Sequence, residues 1–324
     1  METIRVEKTE WLIRVIFDLP FDKVNKLSST VMAELKEVVI AIGSDTDCEV
    51  VSFESVKKDI FIAGADIEEL YRIESQESAR AKAQLGQALF SRIADLPQTT
   101  VAIIDGACVG GGCELALACD FRMATDNPKT KIGLPEVQLG IIPGWGGTQR
   151  LPRLIGLPEA LKIILPGKAV NAGKAKKIKL VDQVVSAALL EEQQQSFLQK
   201  LRDSSFRSSL IQKRKAKGKI ERLAQTLVNT SLGRSFVIRQ ARKNVMKTTK
   251  GFYPAPLAVL DLLSEKCSFS EGIERELEAF SILAVSDISK NLVALFFLNE
   301  EIKKVRGSDF AGEIIPPESA AGLG

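Results

Sequence analysis

The chain has 324 residues and a net charge of +3, from 44 Lys/Arg against 41 Asp/Glu, a balance too small to argue for nucleic-acid binding. Hydrophobic residues make up 45% and charged residues 26%, enough apolar material for a real core in two domains, or in one large domain with an extension. There is no histidine, which excludes Ser-His-Asp chemistry, imidazole bases and histidine metal ligands, and leaves carboxylates, Cys, Lys, Tyr and backbone groups for any catalysis.

The opening stretch METIRVEKTEWLIRVIF carries a charge every few residues and has no signal-peptide pattern; no apolar run in the chain reaches the ~18 residues of a membrane span. The expectation is a soluble, intracellular protein. WLIRVIFDL (11–19) reads as a strand ending at Pro20, and LSSTVMAELKEVVIAIG (27–43) has helical spacing up to Gly43. CEVVSFES (48–55) reads as a buried strand. In DIFIAGADIEELYR (59–72) an apolar strand runs through Ala63, Gly64, Ala65 and Asp66 into an amphipathic helix. Asp66 suits a helix N-cap, worth about 1 kcal/mol; the alternative is a loop that offers backbone N–H groups to a ligand.

VAIIDG (101–106) is a further strand closed by a glycine turn, and GACVGGGCELALACD (106–120) follows. Gly110, Gly111 and Gly112 sit between a strand and a helix starting near Cys113. A helix N-terminus leaves backbone N–H groups unpaired and partially positive, and glycines let a ligand approach them. The site suits an anionic oxygen. It is not a phosphate loop, because neither GxxxxGK[ST] nor GxGxxG is matched. Glu114 stands in the first helical turn, where the dipole alone would favour it. Cys113 and Cys119 lie in the apolar run and read as core residues. With Cys48, Cys108 and Cys267 they make five cysteines without a CxxC pair, as expected of free thiols in a reducing compartment.

A second carboxylate, Glu136, follows Pro135 in KIGLPEVQLGIIPGWGGTQRLPRLIG (131–156). A first-turn Glu after Pro is routine on a solvated helix. This segment is apolar and glycine-punctuated, so partial burial is expected, which raises a Glu pKa. From about residue 190 the pattern turns helical and polar. The predicted organisation is residues 1–188 as an α/β domain, 189–304 as an α-helical region, and 305–324 as a loose Gly/Pro/Ser-rich tail. Residues 201–250 carry 14 Lys/Arg against Asp203 and Glu221. A solvated helical face explains them; the functional alternative is a docking face for anionic lipid or an acidic protein.

FIAGADI, GGGCELALACD and GLPEVQLGIIPGWGGTQRLPRLIG, in that order, resemble the enoyl-CoA hydratase/isomerase (crotonase) family. The resemblance implies an α/β fold, a crotonase-type spiral of ββα units with an α-helical C-terminal extension. It implies an oxyanion hole at the N–H groups of Ala63 and Gly111, catalytic roles for Glu114 and Glu136, and acyl-CoA contacts at Ala63, Gly64, Ala65, Asp66, Ile67 and Gly110. In the family's scheme Glu114 is the base towards a water and Glu136 its partner and proton donor. No metal and no cofactor is implied, acyl-CoA being the substrate. The implied setting is the bacterial cytoplasm or the mitochondrial matrix.

KTTKGFYPAPLAVLDLL (247–263), SEGIERELEAFSILAVSD (270–287) and NLVALFFLNEEIKKV (291–305) resemble the linker of the multifunctional fatty-acid β-oxidation α-subunit. There a hydratase domain precedes an NAD-dependent 3-hydroxyacyl-CoA dehydrogenase. The sequence given ends at Gly-Leu-Gly (322–324) without a complete dinucleotide fingerprint, so dehydrogenase activity is not carried over. Pro166 and Lys179 replace residues that the family usually has as Thr and Gly; Lys179 is expected at a helix C-cap, at a cost near 1 kcal/mol. The resemblance implies a linker helix packed on its own hydratase domain. Leu292, Leu295, Phe296 and Ile302 are its expected buried face, walling the acyl or CoA pocket. The leading expectation is enoyl-CoA hydration with Δ3,Δ2-isomerase activity from the same glutamates. The alternatives are another acyl-CoA isomerase, or a non-catalytic binding or assembly module. A thiolase subunit or a second copy of the chain is the implied partner.

Overall fold

The computed structural model describes residues 3–216, 226–228 and 230–308. Strands β1 (Ile4–Lys8) and β2 (Leu12–Phe17) pair antiparallel. Helix α1 (Ser29–Gly43) follows, capped by the Ser28 side chain. It buries Val31, Leu35, Val39 and Ile42, spaced four, four and three apart on one face. Each such side chain contributes about 1.5–3 kcal/mol of gross transfer energy.

Three β–β–α units then succeed one another. The first is β3 (Val50–Ser55), β4 (Ile60–Ile62), a short α2 (Ile67–Tyr71) and a long α3 (Gln76–Ala94). The second is β5 (Thr99–Ile104), β6 (Ala107–Val109) and α4 (Gly111–Ala118). The third is β7 (Phe121–Thr125), β8 (Lys131–Gly133), a 3-10 turn (Glu136–Leu139) and α5 (Gly147–Ile155). The first strand of each unit pairs parallel in one sheet and the second strand pairs parallel in another. With β9 (Val170–Asn171) and β10 (Gln183–Val185), the orders are β1-β2-β3-β5-β7-β10 and β4-β6-β8-β9. This is the expected spiral.

The corners of the spiral stack and are tied by side chains. Asn127 Nδ2 donates to Asp59 Oδ1 at 2.8 Å and to Asp105 Oδ1 at 3.1 Å, and the Gly106 N–H donates to Thr130 Oγ1 at 2.9 Å. Gly106 has φ +94, and a Cβ there would fall 1.9 Å from the Asp59 backbone, so only glycine fits the corner.

Between the spiral and the C-terminal helices lie α6 (Leu157–Ile164) and α7 (Ala172–Lys177). After α7, Lys179 adopts φ +66, the left-handed conformation expected of a C-cap glycine. Helices α8 (Leu190–Leu201), α9 (Ser204–Lys215), α10 (Ser231–Thr249), α11 (Pro254–Leu262), α12 (Phe269–Ala284) and α13 (Asp287–Ser308) complete the described chain. Leu277 and Phe280 of α12 and Val293 of α13 join the same buried cluster as Leu35 and Leu115. Residues 309–324 of the expected tail lie outside the described residues, as do 217–225 of the basic segment.

The expected buried face of the last helix is corrected. Val293 is buried, whereas Leu295 and Ile302 are about half exposed at 51% and 44%. Contact with the spiral is made by the first turns, which turns the face by one position. Ser289 Oγ donates to Leu139 O at 3.0 Å, and Lys290 Nζ donates to Tyr71 O at 2.7 Å. Several cations of the basic stretch pair with carboxylates of the same chain: Arg202 with Glu49 and Arg242 with Asp261 at the surface, and Arg214 with the buried Asp182. Among the described residues no single helix is long and apolar enough to cross a membrane.

Candidate active site

Helix α4 is apolar and buried on every side, as a helix through the centre of a core must be. Its close approach to β4 depends on Gly112, whose Cβ would stand 2.5 Å from Ile62 O. The Arg122 side chain, 2% exposed, covers the carbonyls of its far end, donating to Ala116 O at 3.0 Å and Cys119 O at 2.7 Å. A cation there complements the negative end of the helix. At the near end Gly110 has φ +56, and the first turn brings Glu114 inside.

Two loops meet at this N-terminus. Gly64 has φ +112, and a Cβ on Gly110 would lie 3.4 Å from Gly64 Cα. The next residue on each loop, Ala65 and Gly111, is thereby brought to one place. Among the described residues no hydrogen bond uses the N–H of either. The expectation for Ala63 is corrected here. Its N–H donates to Asn25 O at 2.8 Å and is already committed to the fold. Asn25 is itself buried, with Nδ2 donating to Phe17 O, Ser55 Oγ and Phe61 O. The pair of unused donors is Ala65 and Gly111.

Both glutamates face the same cavity of about 190 Å³, which Ala63, Gly64, Ala65, Asp66, Ile67 and Gly110 also line. Asp66 is an N-cap as well, accepting from the Glu68 N–H at 2.9 Å, and pairs with Lys26 at 3.1 Å. Leu70, Ile73, Ile141 and Ile142 make much of the remaining wall apolar, closed by Trp145 and Phe280. Phe280 belongs to α12, so the C-terminal region does wall the cavity through α12, and no described residue of the 291–305 stretch lines it. A larger cleft of about 600 Å³, between α5 and α11, holds neither glutamate.

The two carboxylates differ in solvation. Glu114 is 2% exposed, and its Oε1 accepts from the N–H groups of Trp145 and Gly147, each at 2.8 Å. Burial, then the neighbouring Glu136 and Glu276, push its carboxyl up, against the pull of those two donors. Glu136 is 9% exposed as a residue, yet both its carboxylate oxygens are covered and neither has a protein donor. Burial pushes its pKa up to about 8. Two backbone donors pull the Glu114 carboxyl down against its burial, a pull that Glu136 lacks. Cys113 in α4 and Cys119 just after it are core residues: both are buried, and burial pushes the Cys119 thiol up.

One residue here escaped sequence reasoning. Glu276 of α12 is fully buried and reaches the loop before α5. It accepts from the Gly146 N–H at 2.6 Å, the Thr148 N–H at 3.0 Å, the Thr148 hydroxyl, and Gln87 Nε2 at 3.2 Å. The signal was present in the spacing: Gly272, Glu276 and Phe280 are four apart, on the inward stripe of an amphipathic helix.

The family model for enoyl-CoA hydratase/isomerase matches residues 8–252. The fatty acid oxidation complex subunit alpha of Vibrio vulnificus is 40% identical over 294 residues, covering 90% of this chain and 40% of that protein. Its counterpart from Aliivibrio fischeri is 41% identical over 306 residues, covering 94% and 42%. The chain therefore spans about 40% of the length of these relatives. The crystal structure of enoyl-CoA hydratase from Bacillus anthracis has a TM-score of 0.58 at 30% identity, covering 78% of this chain and 96% of that one. Enoyl-CoA hydratase from Bacillus halodurans has a TM-score of 0.65 at 20% identity, covering 91% and 100%, a likeness of fold alone. With the family model matched over most of its length, this chain belongs to the enoyl-CoA hydratase/isomerase family.

Proposed function

We propose that the chain adds water to trans-2-enoyl-CoA thioesters, the hydration step of fatty-acid β-oxidation. One observation carries the reading: two buried carboxylates of unlike solvation face one apolar cavity beside two unused N–H donors at a helix N-terminus. The N–H groups of Ala65 and Gly111 bind the thioester oxygen and stabilise it as it becomes an enolate. The dipole of α4 points at that charge. Glu114, the carboxylate with donors, takes a proton from water as the oxygen bonds to the β-carbon. Glu136, the carboxyl without donors, gives its proton to the α-carbon, and proton exchange through the product water site restores the pair. A cavity of about 190 Å³ encloses the reacting end of such a ligand. Pockets that engulf a whole drug-sized ligand run to ~300–1,000 Å³, so the CoA body lies along the outside, over the Gly64–Ile67 loop.

Isomerisation of a Δ3 double bond needs the same oxyanion site and a proton shuttle without water, and is the second activity proposed. No cofactor or metal enters either scheme. The names of the relatives support a further proposal, that the protein works as part of a complex, with a thiolase subunit or another copy of itself. The free cysteines support a reducing compartment such as a bacterial cytoplasm.

The test incubates the protein with a short trans-2-enoyl-CoA and follows the conjugated enoyl absorbance. Loss of absorbance with formation of the 3-hydroxyacyl-CoA supports hydration. Gain of absorbance from a 3-enoyl-CoA alone favours the isomerase reading. Binding of the ester with neither change supports a binding module.

A further inference from the structure

We infer that Glu276, on the C-terminal helix α12, is a positioning residue for Glu114, the base in the hydration proposed above. The four successive N–H groups from Trp145 to Thr148 are shared alternately between two carboxylates. Trp145 and Gly147 donate to Glu114, each at 2.8 Å, while Gly146 and Thr148 donate to Glu276 at 2.6 and 3.0 Å. The turn is held from both sides, one side by the spiral and the other by the helical extension.

Its sequence does little to hold it otherwise. Gly146, at φ +103, and Gly147 stand at its centre, and glycine peptides rotate at low cost. Rotation of the 145–146 or 147–148 peptide would move the neighbouring N–H groups that Glu114 uses. Glu276 is held against such movement by the Thr148 hydroxyl and by Gln87 Nε2 of α3, which also donates to Ile273 O at 3.3 Å. Arg150 closes the turn by donating from NH1 to Trp145 O at 2.9 Å. The C-terminal region thus supplies a support for the catalytic carboxylate, besides Phe280 in the wall.

The charged groups that face Glu276 are Glu114 on α4, Glu136 on the 3-10 turn and Arg150 on α5; α3 faces it with the neutral Gln87. Burial pushes the Glu276 carboxyl itself up to about 7, and in its ionised form its charge raises the carboxyls of both Glu114 and Glu136. Neutralising it lowers both, so both limbs of the pH–rate profile move to lower pH. A residue that only stabilised the fold would leave the profile in place.

The experiment uses Glu276→Gln and Thr148→Val in the full chain. Glu276→Gln places an amide NH2 where the turn needs an acceptor. The expected result is a kcat about 10- to 100-fold lower, a KM changed far less, and a pH–rate profile shifted to lower pH. Amide hydrogen exchange at Trp145 and Gly147 is expected to quicken. Thr148→Val removes one donor and keeps the charge, so kcat and exchange change in the same direction by a smaller factor while the profile stays. A folded Glu276→Gln with wild-type kcat, pH profile and exchange overturns the inference. If that variant does not fold, Thr148→Val with unchanged kcat and exchange overturns it. If the wild type hydrates no enoyl-CoA, the hydration reading fails separately, and exchange at Trp145 and Gly147 still decides whether Glu276 holds the turn.

Discussion

Replacing Glu136 with glutamine should make the protein more stable, increasingly so as pH rises. Glu136 is raised from 4.5 to about 8 by burial, with no protein donor to either oxygen. An acid with a raised folded pKa binds its proton more tightly when folded. Stability is therefore highest below the unfolded pKa and falls as pH climbs from 4.5 through 8. At pH 7 the cost spans about 2.5 pH units, or on the order of 3 kcal/mol, and above pH 8 it levels off near 5 kcal/mol. Neighbouring Glu114 and Glu276 share the pocket, so these figures are upper bounds for one site. Glutamine has the same shape and no charge to desolvate. Urea unfolding of wild type and Glu136→Gln at pH 5, 7 and 8.5 should give curves that nearly coincide at pH 5 and separate progressively. A difference that does not depend on pH, or a variant less stable at pH 8.5, would refute the argument that this carboxyl is held dry at a cost in stability.

Other consequences follow from the packing. Arg122→Met uncovers the carbonyls at the end of α4 and removes the guanidinium that stands 3.8 Å from Asp182, which keeps Arg214 and the backbone N–H of residue 122; a chemical denaturation curve should show a loss of about 3 kcal/mol. Lys179→Gly relieves a left-handed conformation, and the same measurement should show a gain of about 1 kcal/mol. Deleting residues 289–324 removes the Ser289–Leu139 bond and the buried Val293, and a thermal melt should fall by about 5 °C.

Much of the fold was legible because β4 and β6 run into glycine turns at Gly64 and Gly110, and because the helix after the second turn is an almost wholly apolar run. The crowding that makes Gly106 and Gly112 necessary is the same feature that punctuates the sequence. Glu114 and Glu136 each read alone as a helix-start residue; the apolar, glycine-rich segment marked Glu136 for partial burial, and their pairing came from the family resemblance. The pair of unused N–H donors was only half legible. Ala63 and Ala65 flank one glycine in FIAGADI, and side chains cannot tell which N–H is free. The Ala63 donor is consumed by Asn25, nearly forty residues earlier in the chain, and such long-range backbone pairing leaves no local trace. Glu276 was hidden among Glu271, Glu274 and Glu278 on a helix that looks solvated. Its partners are backbone N–H groups about 130 residues away, and only the four-residue spacing of its stripe marked it. The last helix was misjudged because its apolar residues exceed one face, and only packing of its first turns selected Val293.

The most direct test of the central claim compares hydration by wild type, Glu114→Gln and Glu136→Gln on one trans-2-enoyl-CoA, with ester binding measured alongside. The account predicts that each variant folds and binds the ester, with turnover reduced about 100- to 10,000-fold, the range that positioned acid–base groups supply. Near-wild-type turnover in both variants would contradict it.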